Sequence, residues 1–539
     1  MPVLTRPGVY VDESAFPTYL AATPGTAAAA FVGQCPRGPL MVPTAVSSWR
    51  DFTQSFGGFE TKYPPSPLHL AVFSYFSAGG TSAVVVRMTT STAAPVASSL
   101  VLDDQGTSVQ PTLNITAASP GQWGNDLYID ITPGSLSQSA QSGQPQGQVL
   151  SFNIIVKYQG TQPANVVETW QNVSMNPTSS QAGLNNYAPS VINSSFNGSK
   201  YIRVTAAPGN TNNPPQNNPA AVSNQPLLGG LDGPGSPPAP PPTPNFNDYL
   251  LACQLLDQFP DQQFVLNLCG TYDTPSQNII GNLVQQYVEP RGNIFLVADP
   301  PPGYGFDQVK SWAQALTFRS SVAAVYYPQV IVADPYSPQL GQTRIVPPGG
   351  FVVGTYIATD TSRGVAKAPA GLTTSLGGVY GVEPTGILTN DQQGTLNQIN
   401  VNCLIPIPGY GVVVWGARTM SEYVVTQYVP VSRTLIYLST EFVSLTRFAV
   451  FEPNDYVLWG SITSVLNQFL SGFWQSGGLQ GLTAGDAYYV LCDSSINTVQ
   501  SIQAGIVNVE VGVALQYPAE FVVIKIGQWA GGQSVSVST

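Results

Sequence analysis

Apolar and polar positions alternate at two different periods along this chain, and the switch between them outlines its organisation. "AAAAFVG" (27–33) and "SAVVVRM" (82–88) are unbroken apolar runs of strand length, the form taken by strands buried on both faces. Between them, "SSWRDFTQSFGG" (47–58) and "PLHLAVFSYFSAGG" (67–80) read as helices. In the second, Leu68, Val72, Phe73 and Phe76 recur at helical spacing and Gly79-Gly80 supplies a C-cap. From about 91 to 230 the period falls to two, as in "LYIDI" (127–131), "FNIIVKY" (152–158) and "KYIRV" (200–204), with turn residues at short intervals. That pattern predicts antiparallel strands.

"GPGSPPAPPPTPNF" (233–246) then interrupts, a semi-rigid spacer because proline removes donors and favours extended backbone. Beyond it "NDYLLACQLLDQF" (247–259) predicts an amphipathic helix capped by Asn247 or Asp248. The runs "QFVLNLC" (263–269), "NIFLVADP" (293–300) and "VAAVYYPQVIV" (322–332) alternate with helical stretches, so a second α/β layer with parallel strands is expected. "DYVLWGSITSVLNQFLSGFWQSGG" (455–478) aligns Leu458, Ile462, Val465, Leu466, Phe469, Leu470 and Phe473 on one face, starts at Asn454 or Asp455 and stops at Gly477-Gly478. Two or three further strands are expected between Ile496 and Ala530. At the other end "PGVYVDESAF" (7–16) reads as a strand with no hairpin partner after it, an edge that invites another chain.

Composition narrows the function. A chain of 539 residues divides into three or four domains, and 43% hydrophobic residues make it folded protein. Charged residues are only 9%, against roughly 25% in ordinary globular chains, so its surfaces repel one another weakly. The net charge of −11 opposes a phosphate backbone and no basic run is interleaved with aromatics, which argues against nucleic acid as a partner. Apolar runs such as 411–415 and 521–526 are far shorter than the roughly 20 residues of a membrane span, and residues 1–10 lack the order of a signal peptide. The expectation is a soluble product made in the cytoplasm, without direct membrane insertion.

Candidate chemistry is sparse. The single histidine, His69, lies in a predicted apolar helix face, with no second histidine to share ligation or proton transfer. No G-x-S-x-G elbow, phosphate-cradling G-x-x-x-x-G-K-[ST] or calcium loop occurs, and "PGYGVVVWG" (408–416) reads as turn chemistry. Asp103-Asp104 and the pair Asp126 and Asp130 lie in polar turns or on a strand. The five cysteines (Cys35, Cys253, Cys269, Cys403, Cys492) are scattered and mostly flanked by apolar residues, which favours buried free thiols over disulfides or a metal site. No catalytic, cofactor or metal residue is assigned, and no enzymatic activity is expected.

One ordered set of segments does point somewhere: "RPGVYVDE" (6–13), "AAFVGQCPRGP" (29–39), "VSSWRDFTQSFGG" (46–58), "LAVFSYFSAGGTSAVVVR" (70–87), "ASPGQWGNDLYI" (118–129), "IVPPGGFVVGTYIATDTSRGVAKAPAG" (345–371), "INVNCLIPIPGYGVVVWGARTM" (399–420), "FEPND" (451–455) and "AYYVLCD" (487–493). In this order they resemble contractile tail sheath proteins of phages and related injection systems. The chain departs from them in "VPVSRTLIYL" (429–438), where Ser432 stands in place of a second arginine beside Arg433 that is tied to an inter-subunit ion pair.

Pattern and resemblance together predict a multidomain α/β and α+β chain: a mixed-sheet α/β core discontinuous in sequence, an inserted antiparallel β domain and terminal β-strand arms, the insertion and the Pro-rich spacer being particular to this sequence. The expected division is an N-terminal arm (1–26), a first core part (27–90), a β-rich outer insertion (91–232), the Pro-rich linker (233–246), an α/β middle domain (247–344), a C-terminal core part (345–515), and C-terminal strands with an arm (516–539). It further implies a helical homopolymer, or stacked hexameric rings, templated by an inner tail tube protein and bounded by baseplate and tail terminator proteins. Such a particle is assembled in the host bacterial cytoplasm as a virion tail or injection device, with 1–90 and 345–539 at the inner wall and 91–344 outside. The arm that reaches a neighbour is assigned to Pro7, Gly8, Val9, Tyr10, Val11, Asp12 and Glu13. The receiving sheet and C-terminal arm are assigned to Tyr517, Ala519, Glu520, Phe521, Val522, Val523 and Ile524. Leu458, Ile462, Leu466 and Phe469 are assigned either to a helix facing the inner tube or to an internal core, the core use being favoured. The alternatives are a static tube or lattice, and a glycan-binding or glycan-hydrolysing protein on a particle surface, for which residues 91–230 offer no converging carboxylate pair.

Overall fold

The computed structural model describes residues 27–60, 62, 66–90, 94–136, 149–181, 184–194, 197–232, 243–274, 277–337, 341–521, 529–530 and 533–534. The sequence assignments to Pro7–Glu13 and to Val522, Val523 and Ile524 lie outside the described residues.

The chain begins with β1 (Ala28–Gly33), β2 (Thr44–Val46), α1 (Trp49–Phe56), α2 (Pro67–Ser77) and β3 (Ala83–Arg87). Ser48 starts α1 by accepting from the Asp51 amide, and Ser66 starts α2 by accepting from the amide of His69. An insertion follows, with β4 (Ser99–Asp103), β5 (Pro111–Ala117), β6 (Leu127–Pro133), β7 (Phe152–Tyr158), β8 (Val166–Val173), β9 (Ile202–Ala206) and β10 (Val222–Pro226). These form two antiparallel sheets, β9-β5-β4 and β10-β6-β7-β8. The period-two pattern is realised on β6, where Leu127, Ile129 and Ile131 are buried between the less buried Tyr128 and Asp130. They pack with Trp123, Phe152 and Ile154 into a core separate from that of the rest of the chain.

The main sheet resumes after the linker with α3 (Phe246–Gln254), β11 (Phe264–Leu268), β12 (Ile294–Ala298), α4 (Phe306–Ala315) and β13 (Ala323–Tyr327). The cap of α3 is Asn245, in a capping box with Asp248, two or three residues earlier than the sequence reading placed it. Next come β14 (Val330–Ala333), β15 (Thr343–Val346), α5 (Gly349–Arg363), β16 (Val379–Val382), α6 (Asn390–Gln398), β17 (Val401–Ile407) and β18 (Gly411–Val414). The eight-stranded sheet runs β2-β3-β1-β11-β12-β13-β17-β18, parallel except at its two outermost strands. β15-β14-β16 make a small satellite sheet.

Residues 27–90 and 247–420 thus share one sheet and one core, so the expected separation of a 247–344 middle domain is corrected. The reason is register: β1 pairs with β11 from Ala28–Phe264 to Val32–Leu268, and neither half could bury both faces of its strands alone. α2 and α5 cross closely on one face. A Cβ on Gly350 would stand 2.3 Å from the Ala71 carbonyl oxygen, and one on Gly354 2.6 Å from that of Tyr75. The glycines of "PPGGFVVG" therefore let two backbones touch.

The final part contains α7 (Val429–Thr446), α8 (Tyr456–Gln475), β19 (Tyr488–Leu491) and β20 (Glu510–Val513). α7 starts inside the main core, through Val429 and Ile436, and ends in the C-terminal core, through Leu438 and Phe442. α8 begins at Asp455, whose side chain accepts from the amides of Val457 (2.9 Å) and Leu458 (3.1 Å). Of the strands expected beyond Ile496, 499–503 is a short helix and β20 is a strand. Tyr517–Phe521 has no strand partner among the described residues, and Trp529–Ala530 pairs with Gln533–Ser534.

Candidate assembly surfaces

A parallel sheet of this order reverses direction between β1 and β11, and ligands of such folds sit in the crevice at that switch point. Here the crevice is filled. A Cβ on Gly33 would meet the Cβ of Cys269 at 3.0 Å, and one on Gly270 would meet Pro67 at 2.7 Å, because the start of α2 is set over the strand ends. Ser66 holds it there, its hydroxyl donating to the Gln34 carbonyl (2.9 Å) and its amide to Tyr336 Oη (2.9 Å). The cavity beside it, lined by Arg37, Phe56, Glu60, His69 and Tyr336 among others, measures about 10 Å³, room for one water.

The titratable groups nearby have structural partners. His69 is buried with Nε2 3.2 Å from the Phe56 carbonyl, and burial pulls its pKa down to about 4, so the ring is neutral. Asp299, at the end of β12, is pushed up to about 6 by burial and accepts from Asn267 Nδ2 (3.1 Å) and the Gly349 amide (2.8 Å), one of the first donors of α5. All five cysteines are free and buried. Among the described residues no three His, Cys, Asp or Glu side chains gather as a metal site, and no helix is long and apolar enough to cross a membrane.

The surfaces that remain unfinished belong to the C-terminal unit. β19 and β20 form a sheet of two strands, Tyr488 opposite Val513 through Leu491 opposite Glu510, with no third strand beside either among the described residues. Its inner face, Tyr488, Val490, Val511 and Val513, packs on α8 and on Phe442. On the outer face the Tyr489 ring lies over Gly512, where a Cβ would stand 2.1 Å from Cε1, and its hydroxyl donates to Glu510 Oε1 (2.6 Å). A pair of strands is marginal by itself, and each outer edge presents unpaired backbone donors and acceptors. Among the described residues the open-edged strands are thus 488–491 and 510–513, and Tyr517, Ala519, Glu520 and Phe521 have no strand partner. Pro518 and the exposed Phe521 flank a stretch whose side chains are used otherwise.

That use is an anchor. Glu520, approaching from the tail, takes Arg418 Nε on Oε1 (2.8 Å) and Arg418 Nη2 on Oε2 (2.6 Å). Asn397 Nδ2 (2.8 Å) and the Tyr428 hydroxyl (2.9 Å) complete its acceptor sites. Burial raises the Glu520 carboxyl, but these donors outweigh it and hold it below the usual carboxylate range. Tyr517 stands edge-on to Tyr428, ring centroids 6.3 Å apart.

Leu458, Ile462 and Leu466 are buried against Leu445, Val507, Val509 and Val511, and Phe469 stacks on Phe473 (6.2 Å). Leu458, Ile462 and Leu466 of the α8 stripe thus contribute to the C-terminal core, and Phe469 is half-buried at its margin. Arg433 pairs within its own chain: it donates to Asp360 Oδ1 (2.9 Å) and Oδ2, both side chains being only 4% exposed. Neither Arg418–Glu520 nor Arg433–Asp360 was foreseen. The available signal was a lone arginine inside an apolar run, "VVVWGARTM" and "VPVSRTLIYL", which demands a counter-charge once buried.

Residues 247–420 match the family model of the phage tail sheath protein central domain. No curated protein sequence matches the chain. Over 98% of its length it shares a fold with the sheath of PVC, an extracellular contractile injection system, in its contracted state (TM-score 0.55, 21% identity, 99% of that chain covered). The contracted helical sheath of the anti-feeding prophage is equally similar (TM-score 0.55, 21% identity, 98% of this chain and all of that one, 100%). The sheath tail protein of Listeria innocua has TM-score 0.58 at 12% identity, over 88% of this chain and 91% of that one.

Proposed function

We infer that this chain, whose residues 247–420 match the central domain of phage tail sheath proteins, is the structural subunit of a contractile sheath. The observation that carries the assembly mechanism is the β19–β20 pair, packed on one face and with no third strand beside Tyr488–Leu491 or Glu510–Val513 among the described residues. Pro7–Phe16 of a neighbouring copy adds to it as a strand, backbone hydrogen bonds giving affinity. In such a pairing the alternate side chains, Val9 and Val11 against Tyr10 and Asp12, set the register. Residues after Phe521 reach a further copy. Such contacts are heterologous and do not close, so copies propagate as a helix or as stacked rings.

An inner tube templates the extended state and a baseplate triggers release. The work of contraction is stored at assembly and recovered as subunits rotate into contacts that bury more apolar surface. A surface with 9% charged residues supports this, because faces slide together without desolvating many ions. The particle is a virion tail or an injection device assembled in the bacterial cytoplasm, with the insertion 91–232 outermost.

The test is negative-stain electron microscopy of the full chain, alone and with the tube protein, beside a variant lacking residues 1–16. Tubes from the full chain and folded monomers from the deletion are expected. Tubes of unchanged length and yield from the deletion would refute strand addition by this segment, and no tubes from the full chain even with the tube protein would refute the sheath reading itself.

A further inference from the structure

We propose that Arg418 and Glu520 form the root of the C-terminal arm: a clamp that fixes where the arm leaves the subunit and transmits its pull to the α/β sheet. The inference rests on the sheath reading above.

The tail leaves the C-terminal unit at Leu515, bridged to Leu479, and at Gln516, whose Nε2 donates to the carbonyls of Gly477 (2.8 Å) and Leu479 (3.2 Å). From there to Phe521 it has no secondary structure, and Tyr517, Ala519 and Phe521 are exposed. Glu520 is the exception. Its carboxylate receives four hydrogen bonds from three side chains, and the guanidinium grips it bidentately, the strong and directional form of this pair. The grip is itself held. The Arg418 amide donates to Asn402 Oδ1 (2.6 Å), and Asn402 Nδ2 donates back to the Arg418 carbonyl (2.7 Å) and to Val325 O (3.1 Å) of the central sheet. Arg418 Nη1 also donates to the Asn397 carbonyl (3.1 Å) at the end of α6.

The chain therefore enters the C-terminal unit along α7 and returns to the α/β domain before departing. Load on the arm passes to β13 and β17, and not to the two-stranded sheet. Without the clamp the stretch up to Phe521 is tied only by Gln516 and the Tyr517–Tyr428 ring contact, so the point where the chain leaves the α/β domain moves back by up to about five residues, roughly 17 Å of chain.

The experiment compares Glu520→Gln and Arg418→Gln with the unaltered full chain, each also without residues 522–539. Chymotrypsin cleavage of the full-length monomers after Phe521 is expected to speed up at least tenfold, while amide exchange in β13, β17 and α8 stays unchanged. Assembly on the tube protein is expected to require at least tenfold more subunit for either substitution. With 522–539 deleted, the substitutions should add nothing to the assembly defect. Cleavage after Phe521 that does not change, or an assembly defect that persists undiminished in the deleted background, overturns the clamp. Should Arg418→Gln unfold, Glu520→Gln alone carries the test. A full chain that never assembles tests the sheath reading, not the clamp, which the cleavage data still decide.

Discussion

Replacing Asp360 with alanine leaves the Arg433 guanidinium buried without its counter-charge. The pair joins α5 to α7, each side chain is 4% exposed, and the guanidinium lies 4.8 Å from the centre of the Tyr356 ring, whose hydroxyl is bonded to that of Tyr326 (2.6 Å). Burial disfavours the charged Arg433, and Asp360 beside it outweighs burial and raises its pKa. At an effective dielectric near 20, two charges about 4 Å apart attract by about 4 kcal/mol. Removal of one partner from such a buried pair costs about 3–5 kcal/mol, a large part of the roughly 5–15 kcal/mol that holds a domain folded. The assay is urea unfolding of the monomer with amide exchange read in α5 and α7. Asp360→Ala should lose about 3–5 kcal/mol there, and the double variant Asp360→Leu with Arg433→Met should recover most of it, since both desolvation terms vanish together. A loss below about 1 kcal/mol, or a double variant no more stable than the single one, would refute the reasoning.

Three further predictions use other contacts. Gly350→Ala should destabilise by about 1–3 kcal/mol in thermal unfolding because its Cβ meets backbone on α2, whereas Gly460→Ala, facing open space on α8, should stabilise by about 0.5–1 kcal/mol; loss at both sites would show that helix propensity had been misjudged. His69, as the single histidine, gives one imidazole signal, and no titration is expected between pH 5 and 8 because its folded pKa is lowered from 6.5 to about 4. A lowered histidine contributes stability that is present above pH 6.5 and lost as pH falls toward 4, so a midpoint near 6 to 7 would refute its burial. Glu520 has the same direction for a carboxylate: its folded pKa lies below the ordinary 4.5, so its clamp contributes above that value and is lost as pH falls through the lower one. The Glu520 side-chain carboxyl carbon signal should therefore titrate below 4.5, and a midpoint at or above that value would refute the clamp.

The particular readings that held were those carried by local periodicity. The α8 stripe appears as a helix capped at Asp455, and the alternation of "LYIDI" as a strand with one buried face. The quoted glycines and loops acquire reasons: Gly350 and Gly354 let α5 lie against α2, and "PGYG" turns β17 into β18. The capping residue of α3 was misplaced because Asn245, Asn247 and Asp248 are all competent caps, and only the bonds formed decide between them.

By itself the sequence determined element type, the change from α/β to antiparallel β and back, the poverty of charge, and the lack of recognisable catalytic motifs, because each depends on neighbours a few residues apart. Tertiary structure alone decided which strands share a sheet, since β1 and β11 are joined across more than two hundred intervening residues. It also decided what the α8 stripe packs against, which two strands stay open-edged, and that Arg418 closes on Glu520, 102 residues away. Those are pairings between distant surfaces, where charge, shape and burial are matched only after the chain has folded.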